Sequence, residues 1–170
     1  MKRNKFFRKV AMLMAGSLVL PAVALADIKM GIILGFTGPI ESLTPDMAGS
    51  AELAFKEASD SGNLLGGEKI IPVRADSTCI DAAAATTAAE RLVTAEKVAG
   101  IMGADCSGVT IAVANNVAVP NGIPMVSPSA TSPALSTISD NGYFFRTAPS
   151  DACLLYTSDA ADEGLGVDIG

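Results

Sequence analysis

Apolar residues in this sequence come in two alternating patterns. The first is a short unbroken run bounded by glycine or polar residues, as in IKMGIILG at residues 28–35, the signature of a strand buried on both faces. The second is a longer stretch with apolar positions three and four apart. In TPDMAGSAELAFKEASDSG, Met47, Ala51, Ala54, Phe55 and Ala58 share one helical face. That helix is predicted to open with Thr44 as its cap and Pro45 at the first helical position, and to close near Gly62.

The alternation then continues along the chain. KIIPVRAD reads as a strand, DAAAATTAAERLVTAEK as an Ala-rich helix capped by Asp81, and VAGIMGA as the next buried strand. SGVTIAVANNVAVPNG predicts a helix stopped at Asn121-Gly122, IPMVSPSA a fourth strand and YFFRTA a fifth. Strands alternating with helices of this length imply right-handed crossovers, so the expected fold is α/β with a doubly wound parallel sheet.

Ahead of the first strand the pattern is different. MKRNKFFRKV is basic, VAMLMAGSLVLPAV is apolar, and ALA supplies small residues for cleavage, so residues 1–26 read as a signal peptide with Asp27 opening the mature chain. A membrane anchor is disfavoured, because the apolar run falls short of the ~20 residues that span a bilayer and contains Pro21. With no Arg-Arg pair and no Cys after the cleavage site to carry a lipid, a soluble protein exported to the periplasm is expected.

Charge sharpens that picture. The leader holds five of the twelve basic residues and none of the eighteen acidic ones, so the rest of the chain has a net charge of −11 and no Lys/Arg cluster. Such a surface repels a phosphate backbone, which excludes nucleic acid as a partner.

Ligands of open α/β sheets bind beyond the carboxyl ends of the strands, where the strand order reverses. FTGPIESLT, DCSGVT and SPSATSP follow the first, third and fourth strands, and all three are rich in Ser and Thr and free of cations. A helix beginning near Ser107 offers unpaired N–H groups and a hydroxyl, which suits a carboxylate or phosphate. Ser129 and Thr131 add hydroxyls and carbonyls from the facing loop, and a carbonyl that accepts an ammonium would complete a site for a zwitterion. Each of these residues taken singly reads first as a helix cap. The case for a site rests on three such loops at one edge.

Cys79 follows the second strand and Cys106 the third, which places both at the same edge of strands expected to be neighbours. In an oxidising compartment this pair is a disulfide candidate, worth roughly 3–4 kcal/mol by chain entropy, with two free thiols as the alternative. The chain has no histidine, hence no Ser-His or Cys-His pair and no His-ligated metal. Asp76, Asp81 and Asp105 read as solvated or capping rather than catalytic, and Gly31, Gly35 and Gly38 make no GxGxxG. No catalytic residue, metal or cofactor is expected.

Taken in order, GFTGPIESLTPDMAGSAELAFKEA, DSTC with GADCSGVT, SPSATSPAL and YFFRTAPSDA resemble the periplasmic substrate-binding proteins of branched-chain amino acid ABC transporters, the leucine/isoleucine/valine-binding family. The resemblance covers residues 27–152. It implies the first, incomplete lobe of a two-lobed type I periplasmic binding protein, closing on its ligand by a hinge motion. It also implies a Cys79–Cys106 disulfide. Ser107 and Thr131 would hold the ligand carboxylate, Ala130 would lie in the same binding loop, and the Ser129 carbonyl with the Thr131 hydroxyl would take the ammonium. Leu43 would lie near the ligand side chain. Implied partners are leucine, isoleucine, valine or a similar amino acid and a membrane permease, with the binding protein a monomer and no enzyme.

Members of that family are about twice as long, and here the second lobe is missing, with its acidic and aromatic ligand contacts. The sequence also changes character at Cys153. CLLYTSDAADE can be back-translated into a transposon-end sequencing adapter, so residues 153–170 are expected to be adapter read-through rather than native protein. Two other readings stay open: the ectodomain of a sensory receptor, or a binder of amides or urea. A periplasmic enzyme would need a catalytic constellation in the missing half.

Overall fold

The structure, a computed structural model, describes residues 27–154. The expected leader at 1–26 and residues 155–170 of the suspected tail lie outside the described residues. Five strands, β1 (Ile28–Leu34), β2 (Ile70–Asp76), β3 (Gly100–Gly103), β4 (Met125–Ser127) and β5 (Phe144–Arg146), form one sheet in the order β2-β1-β3-β4-β5. Every pairing is parallel, as the alternation predicted. β1 is an interior strand, with β2 paired along all of it on one side and β3 on the other. Its run is apolar at both parities because Ile33 is buried in one apolar cluster and Ile32 and Leu34 in another on the opposite face.

Three helical segments link the first four strands: α1 (Thr44–Asp60), α2 (Ala82–Thr94) and α3 (Ser107–Val113), the last running into a π-helical stretch at Ala114–Ala118. α2 starts as expected, with Asp81 accepting from the N–H groups of Ala83 and Ala84 at 2.9 and 3.0 Å. Its small inward residues Ala85 and Ala89 let the helix lie close to the sheet, and Leu92 fills the next turn. α1 departs from expectation at its start. Leu43 is the N-cap, while Thr44 is fully buried and its hydroxyl reaches back to the carbonyls of Glu41 and Gly35. The Thr44 hydroxyl therefore ties the helix to the end of β1 instead of capping an N–H.

The helix expected to be continuous over 107–122 widens in its second half. There the N–H of Val119 reaches Ala114 O and that of Ile123 reaches Ala118 O, five residues back in each case. Val109, Val113 and Val117 stay buried across the change. β4 and β5 are shorter than IPMVSPSA and YFFRTA, and Pro128, which has no N–H, follows β4 directly. Between the two lies a 3₁₀ turn at Pro133–Ser136. After β5, the N–H groups of Cys153 and Leu154 both reach Ser150 O and open a helical turn.

Candidate functional site

The chain crosses from β2 back over β1 to reach β3, so strand order reverses between β1 and β3. At this switch point the ends of three strands are drawn together around Asp105, which is buried. Its carboxylate accepts from the N–H of Gly35 at 2.8 Å, from its neighbour Cys106 at 2.9 Å and from the Ser77 hydroxyl at 3.3 Å. The sequence reading had Asp105 solvated or capping; it is instead a fastener for the ends of β1, β2 and β3. Asp76 fastens the β1 loop from the other side, accepting from the Thr37 hydroxyl at 2.6 Å and the Thr78 N–H at 2.9 Å. Burial pushes its carboxyl up, but these hydrogen bonds outweigh burial and hold it below the usual carboxylate range.

Cys79 and Cys106 are bonded, with Cα atoms 5.2 Å apart. The strands that carry them are not neighbours, contrary to expectation, because β1 lies between β2 and β3. The bridge passes the end of β1 at Gly35, where an added Cβ would sit 3.1 Å from Cys79 Cβ and 3.4 Å from Asp105 Oδ2. Gly38 allows a second close approach: its φ is +106°, and a Cβ there would lie 2.5 Å from the Thr78 carbonyl oxygen.

Ser107 opens α3, and its Oγ accepts from the N–H groups of Thr131 at 3.2 Å and Ser132 at 3.1 Å. The structure thus brings Ser107 and Thr131 together, but the Thr131 N–H is engaged with the serine. Ser129 joins the same edge, donating its hydroxyl to Asp105 O at 3.0 Å. Ala130 is 1% exposed, its N–H bound to Ser127 Oγ at 3.1 Å. Leu43 is 60% exposed at the start of α1, and among the described residues no hydrogen bond links it to the Ser107 cluster.

Two residues that sequence reasoning did not single out shape the loop after β4. Ser127 is fully buried, donates to Ala104 O at 2.5 Å and so locks β4 to the end of β3. Arg146, at the end of β5, donates to the carbonyls of Ala130 and Ser132 at 3.4 and 2.8 Å. One signal pointed to it: YFFRTA puts a cation at the carboxyl end of a predicted strand, the edge where ligands of such sheets bind.

Comparison with known proteins places this geometry. A periplasmic binding protein family profile matches residues 27–163. The Leu/Ile/Val-binding protein homolog 7 of Brucella suis biovar 1 is 39% identical over 124 residues, 73% of this chain and 29% of the relative. The isoleucine complex of the branched-chain amino acid transporter substrate-binding protein LivJ from Streptococcus pneumoniae superposes with a TM-score of 0.67 at 30% identity, covering 75% of this chain and 35% of that one. An R. palustris ABC transporter solute-binding protein in complex with benzoate gives 0.71 at 25% identity, covering 84% and 38%. This chain therefore spans about a third of the length of these relatives, which are binding proteins rather than enzymes. The extent of the family match, together with the parallel sheet and its switch-point loops, means that the chain belongs to the periplasmic binding protein family.

Proposed function

We propose that this chain is the first-lobe part of an extracytoplasmic solute-binding protein of an ABC transporter, and that Ser107 with the Ser129–Thr131 loop receives the carboxylate of a branched-chain or related amino acid. The observation that carries the reading is the state of the α3 N-terminus. Its N-cap is Cys106, whose side chain caps nothing because the sulfur is committed to the disulfide. Ser107 Oγ already accepts two N–H groups, which leaves its O–H as the remaining hydrogen-bonding capacity, a donor. Unpaired N–H groups and a free O–H donor at a switch point suit an anionic group.

In this reading residues 1–26 direct export and are removed, the ligand is passed to a membrane permease, the protein works as a monomer, and it catalyses nothing. Thr131 supplies a further hydroxyl, Ser129 a carbonyl for the ammonium, and Leu43 an apolar contact for the side chain. Residues 153–170 are adapter read-through, and the native frame continues past Ala152 into the second lobe. An aromatic monocarboxylate is the second reading, favoured by the benzoate complex of the R. palustris relative.

Sequencing the source DNA across the Ala152 codon, then titrating the full-length product calorimetrically with leucine, isoleucine, valine and benzoate, tests the proposal. Ser107→Ala is expected to weaken the ligand that binds by about tenfold or more, as loss of a hydrogen bond to a charged group does. A stop after Gly170 in the genome, or no heat with any of the four, would overturn it.

A further inference from the structure

Two chains of hydrogen bonds end on the oxygen of Ser107. The first runs through a single peptide group: the Ala130 carbonyl accepts from Arg146 Nη1 at 3.4 Å, and the Thr131 N–H of that same peptide donates to Ser107 Oγ at 3.2 Å. The second runs through the next peptide. Asp151 N–H donates to Thr131 O at 3.0 Å, and Ser132 N–H donates to Ser107 Oγ at 3.1 Å. Arg146 also holds Ser132 O and the Ser136 hydroxyl, so its guanidinium is fixed in the loop by three contacts. Among the described residues no carboxylate pairs with it; the ion pairs are Lys29–Glu96, Lys56–Asp60, Arg74–Glu52 and Arg91–Glu96.

The dipoles of the first chain point head to tail. A cation at a carbonyl oxygen polarises the peptide and strengthens its N–H as a donor, and a hydroxyl that accepts from such donors becomes a better donor itself. We infer that Arg146 is the positive pole of the carboxylate site, a positioning residue that acts through the Ala130–Thr131 peptide and the Ser107 hydroxyl. This rests on the reading of Ser107 given above. It accounts for a site whose three loops carry no cation: the charge is delivered from β5 through a relay. A ligand carboxylate meets only neutral donors, which favours release once the lobes open.

The test uses the full-length protein and whichever of leucine, isoleucine, valine or benzoate it binds, set against the amide of that same acid, which lacks the negative charge. R146Q is expected to lower the carboxylate-over-amide affinity ratio about tenfold while leaving amide affinity nearly unchanged, because the lost interaction is electrostatic. R146K keeps the charge without the planar fork and is expected to fall between the two. A variant that loses both ligands equally makes Arg146 merely structural, and a ratio unchanged in R146Q also overturns the inference. Should R146Q fail to fold, R146K decides alone: a ratio below wild type supports the relay and an equal ratio sinks it. Wild-type protein that binds none of the four carboxylates overturns the functional reading and the relay together, whereas binding with an unchanged ratio overturns only the relay.

Discussion

Register places Ile33, Ala75, Ile101, Met125 and Phe144 on one face of the sheet and Ile32, Met102, Val126 and Phe145 on the other. On the first face all five residues are buried, beneath α2, α3 and the π-helical stretch. On the second, among the described residues, α1 is the helix that packs on the strands; it lies against β1 and β2, and Met102 of β3 reaches the edge of its apolar cluster. Exposure there climbs from 0% at Ile32 to 38% at Val126 and 54% at Phe145. The strands carry similar apolar residues at both parities, so the difference does not come from their sequence. It comes from which crossovers pass over which face: among the described residues no helix covers the β4–β5 half of the second face.

The largest expected effect exploits that contrast directly. Ile33→Ala should cost about 2–5 kcal/mol in urea unfolding, as deletions in a closed core do. Phe145→Ala in the same chain should cost less than about 1 kcal/mol, the range of exposed positions. In the longer protein proposed above the Phe145 cost should rise towards that of Ile33; equal costs in this chain would break the comparison.

Next in size is the disulfide, which ties the ends of β2 and β3 across β1. Cys79→Ser is expected to destabilise the chain by roughly 3 kcal/mol, from the loop-closure entropy of a bridge 27 residues apart in sequence. Because the bridge lies at the strand ends, the difference between Ile33 and Phe145 should survive its removal. A merged pair of values would mean that the covered face depends on the bridge.

The smallest effect belongs to the open face, where Arg74 sits in register with Ile32. Arg74 meets Glu52 through two hydrogen bonds at 2.6 and 2.9 Å and lies 5.4 Å from the centre of the Phe36 ring. The hydrogen bond from Arg74 holds the Glu52 carboxyl below its ordinary value. A group whose pKa is lower in the folded state adds stability that is present above its unfolded pKa and lost as pH falls through the folded one. Glu52→Gln should therefore flatten the acid side of the stability profile, by about 0.5 kcal/mol or less for so exposed a pair. An unchanged profile would leave the pair without a stabilising role.

Much of the fold was legible because burial writes itself into period. The run at residues 28–35 could only be a strand covered on both faces, and Asp81 before an Ala-rich stretch marked a helix start that the structure reproduces. Thr44 shows where local rules stop: it has the chemistry of a cap, but its hydroxyl turns to Gly35 O and Glu41 O because the helix start is pressed against the end of β1. The cysteines show the same limit. Their residues and compartment suggested a bond, yet the strands that carry them are separated by β1, which no count of spacing reveals.

By itself, then, the sequence determined the element types, the parallel sheet and the hydroxyl-rich loops at one edge, because hydrophobic period and turn residues are local properties of the chain. The tertiary structure alone decided that Asp105 fastens three strand ends, that Ser107 accepts from Thr131 and Ser132, and that Arg146 reaches the loop after β4. Those contacts join residues far apart in the chain, and their geometry follows from strand order and crossover packing, which no local pattern encodes.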